Sequence, residues 1–97
     1  MGFTTPRMIK LREKAQGESV VVLIDYGATH NFVAWELVHQ LKLPLSSTTS
    51  YGVLMGTGSS IQTEGICRGI SLTLPKIEVI EDFLPLNLGS VNMILSM

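Results

Sequence analysis

Short apolar runs alternate with glycine- and proline-marked breaks along the chain, and the period of each run assigns its structure. Met8 to Lys14 alternates loosely, with Lys10, Arg12 and Lys14 on one side, which predicts a first strand with a solvated face. Gln16-Gly17-Glu18 reads as a turn. Val20 to Ile24 is an unbroken, mostly β-branched run, the pattern of a strand buried on both faces. Two strands about a short glycine turn predict a hairpin.

From Asn31 to Leu41 the period changes. Phe32, Trp35, Val38 and Leu41 recur every third residue with Leu37 beside them, which predicts a short helix anchored in the core by Phe32 and Trp35. Thr29 or Asn31 is placed to cap it, and Leu43-Pro44 ends it. Tyr51 to Met55 and Ile61 to Glu64 flank Gly56-Thr57-Gly58-Ser59-Ser60, which predicts a glycine-tipped hairpin. Ile66 to Leu74 alternates again and ends at the turn Pro75-Lys76. Ile77 to Leu88 reads as a strand pair or one long strand bent at Pro85, and Val91 to Leu95 as a last apolar strand. The pattern is all-β with one short helix, without internal repeat or linker.

Composition narrows this picture. Ninety-seven residues make one domain with a small core, so association with a second copy would add stability. Apolar residues are 45% and charged residues 15%, which fits a packed rather than a disordered chain. A net charge of −1 gives no broad footprint for nucleic acid. No apolar stretch approaches the ~18 residues of a membrane span. Residues 1–18 lack the apolar centre of a signal peptide, and Pro6 stands where a myristoylation signal wants Ser or Thr. These readings place the chain inside the cell, in the cytoplasm. Cys67 is the single cysteine, read as a buried structural thiol. His30 and His39 fall on different helical faces, the five methionines read as core filling, and no metal or cofactor is expected.

The candidate chemistry sits in Leu23-Ile24-Asp25-Tyr26-Gly27-Ala28-Thr29, where an apolar strand delivers a carboxylate into a glycine turn. Taken alone, Asp-x-Gly is also what a turn aspartate capping its own loop looks like. Two carboxylates ~3 Å apart cannot both ionise cheaply, and a pair sharing a proton can serve as base and acid in amide hydrolysis. The chain has two aspartates, and Asp82, in Ile80-Glu81-Asp82-Phe83, lacks a glycine turn to present it. Catalysis by such a pair therefore requires two copies of Asp25 meeting on a two-fold axis.

In its order of elements, the chain resembles the retropepsin-like aspartic peptidases of retroviruses and retrotransposons, whose motif runs Asp, Ser or Thr, Gly, Ala. Its layout is similar to that of the plant Ty3/gypsy-type proteases. The resemblance implies a closed β-barrel of the acid-protease fold, with one short helix and a flap hairpin. It implies a homodimeric endopeptidase in which two Asp25 carboxylates activate water against a peptide or polyprotein substrate, with neither nucleic acid nor membrane as partner. Gly27 and Ala28 would face substrate, and Met55, Gly56, Thr57, Gly58 and Ser59 would form the flap.

Three departures qualify this. Tyr26 replaces the family's Ser or Thr, and its ring is expected to overfill a seat on the dimer axis. Ser96 replaces a glycine and is expected to crowd the catalytic turn. Met97 ends the sequence before the family's C-terminal helix and strand, so residues 1–97 read as a single retropepsin-like domain lacking both. Tyr26 and Ser96 are expected to impair activity. The alternative is a catalytically inactive, domesticated module for dimerisation or peptide binding. A weaker third reading is pairing with another chain through open strand edges.

Overall fold

The computed structural model describes residues 8–54 and 60–97. Its elements are β1 (Met8–Ala15), β2 (Glu18–Asp25), β3 (Phe32–Ala34), α1 (Trp35–Gln40), β4 (Tyr51–Leu54), β5 (Ser60–Thr63), β6 (Cys67–Thr73), β7 (Glu78–Leu86) and β8 (Met93–Ser96). Among the described residues, six strands close into a barrel in the order β1-β2-β8-β3-β7-β6, and β4 and β5 form a separate antiparallel hairpin. This is the all-β content with one short helix that the pattern predicts, in the closed barrel that the resemblance implies.

β1 and β2 pair over their whole length from Met8↔Asp25 to Ala15↔Glu18, about the turn at Gln16 and Gly17. Both turn residues have positive φ, at 51° and 83°, and the glycine adopts it without a Cβ penalty. β2 alternates rather than burying both faces. Val20, Val22 and Ile24 point into the core, while Val21 and Leu23 are half-buried. Inside the barrel these side chains meet Val33, Ile70, Leu72, Phe83, Met93 and Leu95.

Insertion of the last strand matters most for the site. β8 runs parallel to β2 and antiparallel to β3, so it separates two strands that are consecutive in sequence. The chain from Asp25 to Phe32 must therefore cross over the end of β8. That crossing carries the Asp25 turn and brings Ser96 beside Asp25 in register.

The helix is shorter than its spacing predicts. Phe32–Ala34 is a strand paired with both β7 and β8, and the helix begins only at Trp35. Its N-cap is Ala34, with no side-chain hydrogen bond, so neither Thr29 nor Asn31 caps it. Strand pairing on two sides satisfies the backbone of residues 32–34 and overrides the three-residue spacing. Six residues are too few for an autonomous helix, and burial of Leu37 and Val38 holds it. Phe32 consequently lies on a strand rather than anchoring the helix.

Within the predicted Ile77 to Leu88, residues Glu78–Leu86 form the single strand β7, continuous through Pro85. Of the methionines among the described residues, Met93 is core, whereas Met8 and Met97 are exposed. Cys67 is a free, buried thiol, as its sequence reading expects. No helix among the described residues is long and apolar enough to cross a membrane.

Candidate active site

β2 ends at Asp25, which is half-buried at the rim of the barrel. Its Oδ1 accepts the Gly27 N–H at 2.8 Å, and its main-chain carbonyl accepts the Ala28 N–H at 3.4 Å. The carboxylate thus caps its own turn, which fixes its orientation. A Cβ on Gly27 would stand 3.5 Å from Asp25 Oδ1, an ordinary contact, so the glycine contributes a close donor more than an unusual dihedral.

The crossing segment is tied to β8 beneath it. Met97 N–H donates to the Asp25 carbonyl at 3.2 Å, and Ser96 N–H to Asn31 Oδ1 at 2.8 Å. The Ser96 hydroxyl donates to the Ala28 carbonyl at 2.6 Å. Asn31 Nδ2 reaches the Asp82 carbonyl at 3.2 Å, and the Leu84 N–H donates to the Asn31 carbonyl at 2.9 Å. Within the chain, Ser96 makes a hydrogen bond where crowding is expected. A half-buried position leaves room for its Cβ, and the nearby carbonyl takes its proton.

Asp25, Gly27 and Ala28 all line a cleft of about 870 Å³. Phe32, Leu84, Leu86, Leu88 and Ile94 form its apolar wall on the barrel, and Tyr51 to Leu54 of the hairpin face them. A mostly apolar cleft of this size with a few polar groups has the character of a ligand site. Among the described residues, Asp25 is the only carboxylate that lines it. The flap residues Met55, Gly56, Thr57, Gly58 and Ser59 lie outside the described residues.

The base of the hairpin is anchored by side chains that sequence reasoning missed. Tyr51 O–H donates to the Gly65 carbonyl at 2.8 Å, Gly65 N–H to Thr48 Oγ1 at 2.8 Å, and Thr63 O–H to the Pro85 carbonyl at 3.2 Å. Burial pushes the Tyr51 phenol above its ordinary pKa, nearby Cys67 adds to the rise, and a hydrogen bond with Thr63 opposes it. Only the aromatic character of Tyr51 at the start of a strand hinted at such an anchor.

The remaining titratable residues divide cleanly. Thr29 Oγ1 and His30 Nδ1 lie 2.9 Å apart, a local hydrogen bond beside the turn. Asp82 accepts the Gly69 N–H at 2.9 Å and approaches Arg68 at 3.7 Å, lining a smaller cavity of about 310 Å³ rather than the cleft. It is committed to the β6–β7 pair and supplies no second carboxylate to Asp25. Tyr26 is 53% exposed, so its ring displaces nothing inside the chain. His39 stacks on Trp35 at 6.1 Å on the exposed side of the helix. Among the described residues, no group of three His, Cys, Asp or Glu is placed to hold a metal ion.

Comparison with known proteins agrees with this geometry. The family model described as retroviral aspartyl protease matches residues 4–97. No curated protein matches the chain.

Proposed function

Because the chain belongs to the retroviral aspartyl protease family, we propose that it is a homodimeric aspartic endopeptidase whose two Asp25 carboxylates share one catalytic centre. The observation that carries this reading is a single oriented carboxylate on an apolar cleft under a hairpin. One Asp25 takes a proton from water while the other, protonated, donates to the scissile carbonyl oxygen, so the pair titrates as a unit. The peptide lies extended between barrel and hairpin, with its side chains against Phe32, Leu84 and Ile94. Gly27 and Ala28 flank it on the catalytic side, and the family's flap role falls by resemblance to Met55, Gly56, Thr57 and Gly58. The substrate is a polyprotein of the kind that retroviruses and retrotransposons encode.

The test is cleavage of a peptide library by the chain at concentrations where sedimentation shows a dimer. Asp25→Asn removes the base and is expected to lower kcat/KM at least about a hundredfold without changing association. Unchanged cleavage in Asp25→Asn would remove Asp25 from the mechanism, and a monomer at every concentration would exclude a shared pair.

A second reading has one observation in its favour. Tyr26, largely exposed beside Asp25, presents a bulky ring where two chains must approach. If that ring holds the carboxylates apart, the chain is a dimerisation or peptide-binding module without activity. Tyr26→Ser separates the two: cleavage that appears only in the variant identifies Tyr26 as the obstruction.

A further inference from the structure

Ser96 occupies the one point where β8 meets both limbs of the Asp25 turn. Its place is set by topology, since β8 separates β2 from β3 and the turn has to pass over its end. Parallel register puts Ser96 beside Asp25. Three bonds then tie the crossing chain to β8: Met97 N–H to the Asp25 carbonyl, Ser96 N–H to Asn31 Oδ1, and the Ser96 hydroxyl to the Ala28 carbonyl. The first two use main-chain donors that any residue other than proline supplies at these positions. The third exists only because position 96 carries a hydroxyl. At 2.6 Å it lies at the short end of O–H···O distances.

The segment it restrains has little else to hold it. Tyr26, Gly27, Thr29 and His30 are all exposed. The bond between Gly27 N–H and Asp25 Oδ1 is internal to the turn, so it shapes the turn without tying it to the barrel. Of the outgoing limb before Asn31, Ala28 alone is bonded to β8.

We propose that Ser96 is a positioning residue, whose hydroxyl fixes the outgoing limb of the Asp25–Ala28 turn to the barrel and thereby holds the carboxylate toward the cleft. A glycine at this position leaves the Ala28 carbonyl to water. The catalytic side of this inference rests on the peptidase reading above, while the restraint on the turn does not.

The experiment compares the unmodified chain with Ser96→Ala, Ser96→Gly and Ser96→Thr. Backbone order parameters of residues 26–29 are measured by NMR, and kcat and KM are measured on a cleaved peptide. Removal of the hydroxyl is expected to lower the order parameters of the turn from the rigid range near ~0.85 to below ~0.6, with β1 and β6 unchanged. Ser96→Thr keeps the hydroxyl and is expected to restore them. In a cleaving enzyme, kcat falls about tenfold in Ser96→Ala while KM stays within about twofold, since a 1.4 kcal/mol loss is tenfold in rate. Either Ala or Gly suffices if the other does not fold. Order parameters unchanged without the hydroxyl, or lowered equally in Ser96→Thr, would overturn the proposal. If no variant or parent cleaves but the turn loosens in Ser96→Ala, the peptidase reading fails and the restraint stands. If all cleave alike with a rigid turn, the restraint fails and the peptidase reading stands.

Discussion

Asn92 joins strands far apart in the chain with three bonds of its own. Its side-chain Oδ1 accepts the Val21 N–H at 2.8 Å, its N–H donates to the Val21 carbonyl at 2.9 Å, and its carbonyl accepts the Ala34 N–H at 2.8 Å. Only the first is lost in Asn92→Ala. That leaves a part-buried N–H without an acceptor, which costs about 1–3 kcal/mol, toward the lower end because water has partial access. Chemical denaturation should show this loss, while Asn87→Ala, exposed on the loop before it, stays within about 0.5 kcal/mol. Asn92 shows why parts of the site escaped the sequence. The Thr29–His30 contact joins adjacent residues, so it lies within reach of a local reading. Asn31 was read as a helix cap because its actual partners, Ser96 and Asp82, lie 65 and 51 residues away. Ser96 was legible as a departure from a family pattern, but the sign of its effect depends on a carbonyl 68 residues distant.

At the scale of elements, β1 and β6 could be read from alternation and β2 and β8 from short apolar runs, because these strands turn side chains into the core. The helix start could not. Phe32 and Trp35 fit a helical face and also fit the end of one strand and the start of a helix, and pairing with β7 and β8 decides between them. The β4–β5 hairpin was legible from its glycine-rich centre, but its attachment was not, because the partners of Gly65, Tyr51 and Thr48, lie 14 and 17 residues away. Gly65 has φ of +93°, a region that side chains disfavour. A Cβ there would stand 2.9 Å from Leu45 Cδ1, at the end of an exposed side chain that can move. Dihedral strain therefore dominates in Gly65→Ala, at about 1–2 kcal/mol. Relief of that strain shifts the peptide groups that bond Tyr51 and Thr48, so the hairpin base loosens. The expected outcome is a lower denaturation midpoint together with faster proteolysis within residues 51–63. A lower midpoint with unchanged hairpin cleavage would separate the strain from the anchor.

For the whole molecule, closure of the barrel depends on β8 entering between β2 and β3, which no local pattern announces. Consecutive strands usually neighbour each other, so the sequence alone favours β3 beside β2. The closed sheet then buries Cys67 completely, beside the strand ends that carry the hairpin. Burial raises the Cys67 thiol above its ordinary pKa, and burial also raises Tyr51, with Cys67 nearby adding to it. Both groups are neutral when protonated, so the unfolded chain gives up these protons at lower pH than the folded one. Between the unfolded and folded values, the unfolded state binds fewer protons, and stability falls as pH rises. The stabilisation is therefore complete below the ordinary thiol range near ~8.5 and is lost as pH climbs through the raised values. Urea midpoints are expected to stay level from pH 7 to pH 8 and to decline from about pH 9 upward. Cys67→Ala starts lower because it leaves a small cavity, yet its midpoint should fall less steeply between pH 8 and pH 10. An equal slope in parent and variant would show that ionisation of the buried thiol is not what opens the barrel at high pH.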